Sequence, residues 1–202
     1  MRPVLVDLER DRPWYDLPQL SQAISDKTVA IVGVNLFGLS ERWTQLGQIA
    51  EQHEVILIED SAQYFPAQHE AVEWAGDLVV FSFGRGKPVS LLGGGAVYCS
   101  NKSIKGVLPA VTPVKDTLIH QMMFKLKAKA YNMLLSPYLY WLPNSLPFLR
   151  LGETRYHALD EIMGISSTRY KYLAANIAVR QSGDGYAVRC KQYHAMLADM
   201  LP

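Results

Sequence analysis

The chain has 202 residues, of which 49% are hydrophobic and 19% charged, and its formal net charge is +1. This composition is typical of a globular protein with its own core, and the near-zero net charge argues against a broad nucleic-acid surface, which needs clustered Lys and Arg. With Cys99 and Cys190 as the two cysteines, we expect no disulfide framework and a cytoplasmic protein.

Strand and helix signals alternate in the first half of the chain. Continuous apolar runs predict strands at Pro3–Leu8, Thr28–Val34, Val55–Ile58, Leu78–Phe83 and Ala96–Cys99. Apolar residues at helical spacing predict helices at Leu17–Ile24 and Ser40–His53, with Ser40 as the N-cap of the second. This order predicts an α/β fold with a largely parallel sheet flanked by helices.

The second half of the chain reads as helical. Helical periodicity runs over 116–134, a segment rich in proline and aromatic residues follows, and further helices are predicted at 165–180 and 186–201. We therefore expect three regions, which comprise residues 1–115, 116–160 and 161–202.

Residues 131–151 allow two interpretations. One is a membrane-surface or partner-binding insertion with interfacial aromatic anchors, namely Tyr138, Tyr140, Trp141 and Phe148. The other, which we favour, is a proline-rich excursion packed on the large domain or against a second subunit. Its prolines interrupt any apolar run of the ~20 residues that a bilayer span requires.

Lys87 lies between two glycine turns in the stretch FSFGRGKPVSLLGGGAV, residues 81–97. A Walker-type phosphate loop needs a glycine where Phe81 stands and a hydroxyl where Pro88 stands, so that interpretation fails. The sequence contains no motif for a metal site or a serine hydrolase either, because no Cys/His pair has ligand spacing and no G-x-S-x-G is present.

Asp60 offers another role for the lysine. Asp60 follows a buried strand, and ligands of open α/β sheets bind at the carboxyl ends of strands. Lys87 lies just after another strand end, following Ser82. An amine, an acid and a hydroxyl so placed suit pyridoxal phosphate. The alternative is a surface lysine in a flexible loop and an aspartate that caps a helix.

Three stretches carry a resemblance to a known family: VAIVGVNLFG (29–38), VILIEDSAQ (55–63) and GDLVVFSFGRGKPVSLLGGGAV (76–97). In order, strand context and spacing they resemble the DegT/StrS-type sugar aminotransferases, which depend on pyridoxal phosphate and have the aspartate aminotransferase-like fold, fold type I. Their pattern includes a lysine five residues after the serine of F-S-F, the interval from Ser82 to Lys87. The resemblance covers residues 1 to about 100.

The resemblance implies a role for each matched residue. Lys87 would form the Schiff base with the cofactor and act as general base for the proton shift. Asp60 would pair with the pyridinium nitrogen, Gln63 would lie near the ring and its phenolic oxygen, and Ser82 would contact the phosphate.

Some positions depart from the family pattern. Asn35 stands where the family usually has histidine, and Tyr64-Phe65-Pro66 replace small residues, His and Gly. We expect these residues to line the substrate side. The family also has a cofactor-phosphate turn before the segment resembling PVLVDLE and a full small domain after it. The chain therefore resembles the central part of a family member, with residues 1–115 in the large domain and 161–202 at the start of the small one.

The expected function, which the resemblance implies, is amino transfer from a donor such as glutamate or glutamine to a nucleotide-linked keto sugar for surface polysaccharide. The expected assembly is a homodimer or a complex with a complementing chain. An inactive family member with an assembly or regulatory role is the alternative. Deoxysugar dehydration, in which a histidine replaces the lysine, is disfavoured by Lys87.

Overall fold

The computed structural model describes residues 2–66, 73–109, 111–136, 138, 139, 141, 145 and 162–182. The chain divides into two compact units, one formed by residues 1–109 with 173–202 and the other by 110–172. Each is described separately below.

The first unit is built on a mostly parallel sheet. Its strands are β1 (Ala30–Val34), β2 (Ile56–Asp60), β3 (Leu78–Ser82) and β4 (Gly95–Cys99), and they lie in that order. The first three are parallel, whereas β4 runs antiparallel to β3. The predicted α/β class and these four strands are confirmed.

One face of the sheet carries the hydrophobic core. Helices α1 (Leu17–Ala23) and α2 (Trp43–Gln52) flank the sheet. Burial alternates with period two along β1 and β2. The buried cluster joins one residue of each of these strands to residues of the two helices, and consists of Leu20, Ile31, Leu46, Ala50 and Leu57. On the opposite face Val32 is 52% exposed, so the described residues cover this strand on one side.

The predicted strand at Pro3–Leu8 is wrong. Residues 2–7 have no strand pairing among the described residues, and Leu5 is 93% exposed. Instead the chain turns back on itself, since Glu9 N–H donates to the Trp14 carbonyl at 2.8 Å and Asp16 N–H to the Asp7 carbonyl at 3.0 Å. This local turn pairs residues 7 and 9 with residues 16 and 14 and takes the place of a sheet strand.

The predicted N-cap at Ser40 is also wrong, because α2 begins at Trp43 and not at Ser40. The N–H groups ahead of the helix bind other side chains. Glu41 N–H donates to Asn35 Oδ1 at 3.0 Å, and Arg42 N–H donates to Glu41 Oε1 at 2.8 Å. Ser40 Oγ is 3.4 Å from the Glu41 carbonyl and caps nothing.

In the described part of the chain, three helices follow the sheet. They are α3 (Lys102–Lys105), α4 (Leu118–Leu134) and α5 (Ser167–Gln181), and the last two confirm the helices predicted over 116–134 and 165–180. The predicted helix at 186–201 and most of the 131–151 segment lie outside the described residues.

Asp116 joins two segments of the second unit. Its Oδ2 accepts a hydrogen bond from Thr168 N–H at 2.9 Å, and its own N–H donates to Ser167 Oγ at 3.2 Å. Hydrogen bonds from the Thr168 hydroxyl and then from its backbone lower the pKa of Asp116 below the ordinary 3.8. The carboxylate thus ties the start of α5 to the segment before α4.

Helix α4 presents apolar side chains to solvent. None of its residues is buried, and Leu118 and Met122 are 77% and 71% exposed. Within the described part of the chain, no helix has the length and hydropathy needed to cross a membrane.

Candidate functional site

Asp60 and Ser82 end two neighbouring parallel strands. Asp60 is in register with Val80, so Ser82, two residues further, lies on the same face of the sheet. Leu57 and Glu59 point to the opposite, core-bearing face. The two predicted site residues therefore share the open face at the carboxyl edge of the sheet, where ligands of such sheets bind.

The Asp60 carboxylate is half-buried, and one of its two oxygens is hydrogen-bonded to a described residue. Its Oδ1 accepts a hydrogen bond from Ala62 N–H at 2.9 Å. Its Oδ2 forms no hydrogen bond with any residue that the structure describes. One oxygen thus fixes the rotamer of the acid, and the other is left for a ligand.

Lys87 and Ser82 meet around Gly84. A Cβ built on Gly84 would lie 3.5 Å from Ser82 Oγ and 3.8 Å from Lys87 Cγ. The absent side chain leaves a space bordered by a hydroxyl and a lysine stem. Both residues are half-buried, and the Lys87 ammonium pairs with no group in the described part of the chain.

The lysine loop, residues 84–94, is closed by backbone hydrogen bonds to Phe83. Both Leu91 N–H and Gly93 N–H donate to the Phe83 carbonyl, at 2.9 and 3.0 Å, and Phe83 N–H donates to the Gly94 carbonyl at 2.8 Å. A Cβ on Gly95 would lie 2.4 Å from the Phe81 carbonyl oxygen. This glycine is therefore required by the close approach of β4 to β3.

Gln63, predicted to bind the cofactor, lies on an exposed loop after β2. Its Oε1 accepts a hydrogen bond from Phe37 N–H at 3.0 Å, and Phe37 has a left-handed backbone with φ of 55°. Gln63 thus ties the loop after β2 to the loop after β1. No described residue accepts a hydrogen bond from its amide nitrogen, which can donate two.

Asn35 does not line a substrate side, as the sequence had suggested, but is 0% exposed. Its Nδ2 donates to Glu59 Oε1 at 3.0 Å and to Ser61 Oγ at 2.7 Å, while its Oδ1 accepts from Trp43 Nε1 at 3.0 Å. Ser61 Oγ in turn donates to Glu59 Oε1 at 2.9 Å. Asn35 therefore belongs to a buried hydrogen-bond network with Glu59, Ser61 and Trp43.

Sequence reasoning gave Glu59 no role of its own. It is 2% exposed, and its Oε2 has no hydrogen-bond partner among the described residues. The available signal was its position, since β2 alternates with period two and Glu59 shares the face of the buried Leu57. A carboxylate at a core position calls for donors nearby.

Tyr15 adds a phenol to the same edge. Burial raises its pKa above the ordinary 10.0, and the negative charges of Glu41 and Asp60 raise it further, while a backbone hydrogen bond at Val34 lowers it. Tyr15 was not predicted as a site residue, because nothing in its local sequence indicates the two carboxylates.

Tyr64 and Phe65 belong to an aromatic cluster. Tyr64 packs edge-on against Trp74 with 6.3 Å between ring centroids, and Phe65 against Phe81 with 5.8 Å. Trp74 and Phe81 are themselves 5.0 Å apart, and Pro66 is buried. The cluster covers one side of β3, and a role of these residues toward a substrate remains a prediction.

These groups can hold an organic anion with a basic ring. The edge offers an amine (Lys87), a hydroxyl (Ser82), an amide (Gln63) and a carboxylate oxygen (Asp60) without any cluster of metal ligands in the described ranges. Such donors suit covalent capture of a carbonyl and pairing with a protonated ring nitrogen.

Comparison with known proteins gives both sequence and fold matches. A sequence profile described as the DegT/DnrJ/EryC1/StrS aminotransferase family matches residues 1–110. The dTDP-4-amino-4,6-dideoxy-D-glucose transaminase of Shigella dysenteriae is 31% identical over 107 residues, which are 52% of this chain and 29% of that protein. The erythromycin biosynthesis sensory transduction protein EryC1 of Saccharopolyspora erythraea is 35% identical over 105 residues, 50% of this chain and 29% of that protein.

Among solved structures, the protein Spr1654 of Streptococcus pneumoniae, in its PMP form, has a TM-score of 0.53 at 20% identity. This match covers 89% of the present chain and 45% of Spr1654, and it is a likeness of fold. The chain spans 29% of the length of the two curated relatives named above.

Proposed function

The chain belongs to the DegT/DnrJ/EryC1/StrS aminotransferase family, and we propose that it binds pyridoxal phosphate and transfers an amino group to a keto sugar. The observation that carries the proposal is the space at Gly84, which Ser82 and Lys87 border at the end of β3. Asp60 ends the neighbouring strand on the same face.

The residues of this edge fit the groups of the cofactor. When bound, pyridoxal phosphate supplies an electron sink that lets an amino group leave one carbon and join another. Asp60 Oδ2, which no described residue occupies, would hold the proton of the ring nitrogen. Ser82 Oγ would donate to the phosphate, and the Gln63 amide nitrogen would donate to the phenolic oxygen.

Lys87 would have two tasks in the reaction. Its amine would attach the cofactor through the aldehyde carbon, and after the donor has displaced it, the free amine would carry the proton between carbon atoms. A half-buried lysine on a glycine loop can move between these positions, because its side chain has no ion pair within the described residues.

The substrate assignment rests on the family. The named relatives include a transaminase of a dTDP-amino sugar and a GDP-perosamine synthase of Escherichia coli O157:H7. We therefore propose a nucleotide-linked keto sugar as acceptor, glutamate or glutamine as donor, and a role in surface polysaccharide biosynthesis in the cytoplasm.

Assembly is part of the proposal. We propose a homodimer or a complex with a complementing chain, in keeping with the exposed apolar side chains of β4, where Val97 is 56% exposed. Light scattering after size exclusion tests it. Membrane contact through 131–151 is not favoured, and lipid-dependent flotation of the chain with liposomes would reverse that preference.

The cofactor proposal is tested by trapping. Incubation with pyridoxal phosphate, borohydride reduction and peptide mapping should place the cofactor on Lys87, and Lys87→Ala should lose the label. Lys105→Ala, which removes an exposed lysine of α3, is the control and should keep it. Uniform labelling of many lysines, or a saturable label that survives in Lys87→Ala, would refute the proposed role.

Turnover separates the two functions that the sequence left open. An active aminotransferase forms 2-oxoglutarate from glutamate in the presence of keto sugar and pyridoxal phosphate, and Lys87→Ala abolishes it. An inactive family member carries the label on Lys87 without turnover.

A further inference from the structure

Asn35 uses its side-chain amide completely. Besides the donors to Glu59 and Ser61, its Oδ1 accepts from Glu41 N–H and from Trp43 Nε1, each at 3.0 Å. The residue is 0% exposed, so these four hydrogen bonds are shielded from water and costly to break.

Three of the contacts of Asn35 converge on consecutive residues. Its Nδ2 binds the side chains of Glu59 and Ser61, and its backbone N–H donates to the Asp60 carbonyl at 3.0 Å. Asp60 is therefore held at its own main chain and on both sides by one residue of the neighbouring loop.

We propose that Asn35 is the positioning residue for Asp60, which sets the carboxylate at the carboxyl edge of the sheet before any ligand arrives. This inference rests on the proposed function, in which Asp60 pairs with the ring nitrogen of pyridoxal phosphate. Asn35 itself is 0% exposed, so its side chain would act through Asp60.

An asparagine suits this position better than its close analogues. Two donors and two accepted bonds use the whole hydrogen-bonding capacity of a primary amide, whereas an imidazole offers two ring nitrogens. Aspartate has the same shape but no donor, and it would place a second carboxylate against Glu59 at a distance where like charges repel.

The test compares variants that remove hydrogen bonds at the nitrogen and at the oxygen of the Asn35 side-chain amide. Asn35→Asp removes the donors to Glu59 and Ser61. Ser61→Ala removes the hydroxyl that accepts one of these two hydrogen bonds, with a smaller risk to folding. Trp43→Phe is the matched control, because it removes a hydrogen bond to Asn35 Oδ1 on the side away from Asp60. Each is measured in the full chain and again in an Asp60→Asn background.

Dissociation constants for pyridoxal phosphate provide the first readout. We expect Asn35→Asp to raise the constant about tenfold, which is about 1.4 kcal/mol, Ser61→Ala about threefold, and Trp43→Phe less than about twofold. In the Asp60→Asn background all three should change it by less than about twofold, because the group that they position is gone.

Amide hydrogen exchange provides the second readout, and it needs no cofactor. Ala62 N–H is protected by Asp60 Oδ1, so its exchange should quicken in Asn35→Asp and Ser61→Ala and not in a Trp43→Phe variant of similar stability. Unchanged exchange at Ala62, or equal affinity losses with and without Asp60, would overturn the inference. If the wild-type chain binds no pyridoxal phosphate, the proposed function fails, and exchange at Ala62 still decides the positioning role.

Discussion

The acid edge (Asn35, Glu59, Asp60 and Ser61) and the lysine loop (84–94) flank the same end of the sheet but are held in different ways. In the acid edge, Asn35, Glu59 and Ser61 are 0%, 2% and 2% exposed and bind one another through side chains. In the lysine loop the hydrogen bonds join backbone groups, with Lys87 N–H 3.4 Å from the Gly84 carbonyl, and the side chains of Val89 and Leu91 are buried.

This difference separates a preset group from an adaptable one. In the acid edge a buried hydrogen-bond network, in which Glu59 Oε2 alone lacks a partner among the described residues, restricts the side chains, so we expect the fold to set the position of Asp60. The Lys87 side chain lacks an ion pair in the described chain, so we expect the ligand to select the position of its amine.

Gly33→Ala should have the largest effect on stability, because it disturbs the packing of β1 against α2 beside the acid edge. A Cβ there would lie 2.7 Å from the Trp43 ring and 2.9 Å from Leu46. We expect a loss of about 3 kcal/mol in the free energy of unfolding, measured with urea. Gly47→Ala in α2 is the control. It has nothing within 4 Å and should stabilise the helix by about 0.5–1 kcal/mol. Similar effects of the two would show that the acid edge has no rigid support.

Gly84→Ala should weaken cofactor binding without harming the fold. Its Cβ would meet Ser82 Oγ and Lys87 Cγ at ordinary contact distances, so we expect unchanged or slightly higher stability. The methyl group would occupy the ligand space, and the dissociation constant for pyridoxal phosphate should rise about fivefold, which is about 1 kcal/mol.

The matched variant for this loop is Gly86→Ala. Its Cβ meets nothing within 4 Å, but its φ is +70°, so it should cost about 1–2 kcal/mol of stability. An affinity loss in Gly86→Ala as large as in Gly84→Ala would contradict the ligand space at Gly84.

Tyr15→Phe tests how burial and the nearby carboxylates of Glu41 and Asp60 affect the Tyr15 phenol. Because the pKa of Tyr15 is raised in the folded chain, the unfolded chain ionises first, and the wild type loses stability as pH rises from about 10 through the folded pKa. The variant lacks this loss. Urea unfolding at pH 8 and at pH 11 should therefore show the stability difference shifting toward the variant, and parallel pH profiles would be evidence that folding does not raise the pKa of Tyr15.

Asp116→Asn should have the smallest effect and supplies a baseline outside both regions. The lowered pKa of Asp116 means that the wild type has its extra stability above pH 3.8 and loses it as pH falls through the folded pKa. Thermal unfolding should show the gap between wild type and variant closing on acidification. A constant gap would indicate that the hydrogen bond from Thr168 does not depend on the charge.

The sequence predicted the sheet and placed Asp60 and Ser82 at strand ends because these signals are local. Apolar runs mark β1 to β4, and the interval from Ser82 to Lys87 runs from the end of β3 into the lysine loop. The role of Asn35 has a distant cause, because it binds Glu59 and Ser61 at separations of 24 and 26 residues. The failed cap at Ser40 has a near one, because Asn35 Oδ1 and Glu41 Oε1 bind the N–H groups ahead of α2.

The antiparallel pairing of β3 with β4 has a consequence for the order of folding. The pair Ser82 and Gly95 closes a short hairpin around the lysine loop, and hairpins form in about 1–10 μs. The acid edge needs the parallel crossover from β1 to β2, whose loop closure delays its contacts. A full-length chain refolding from denaturant should therefore shape the surroundings of Lys87 before it brings Asp60 into place.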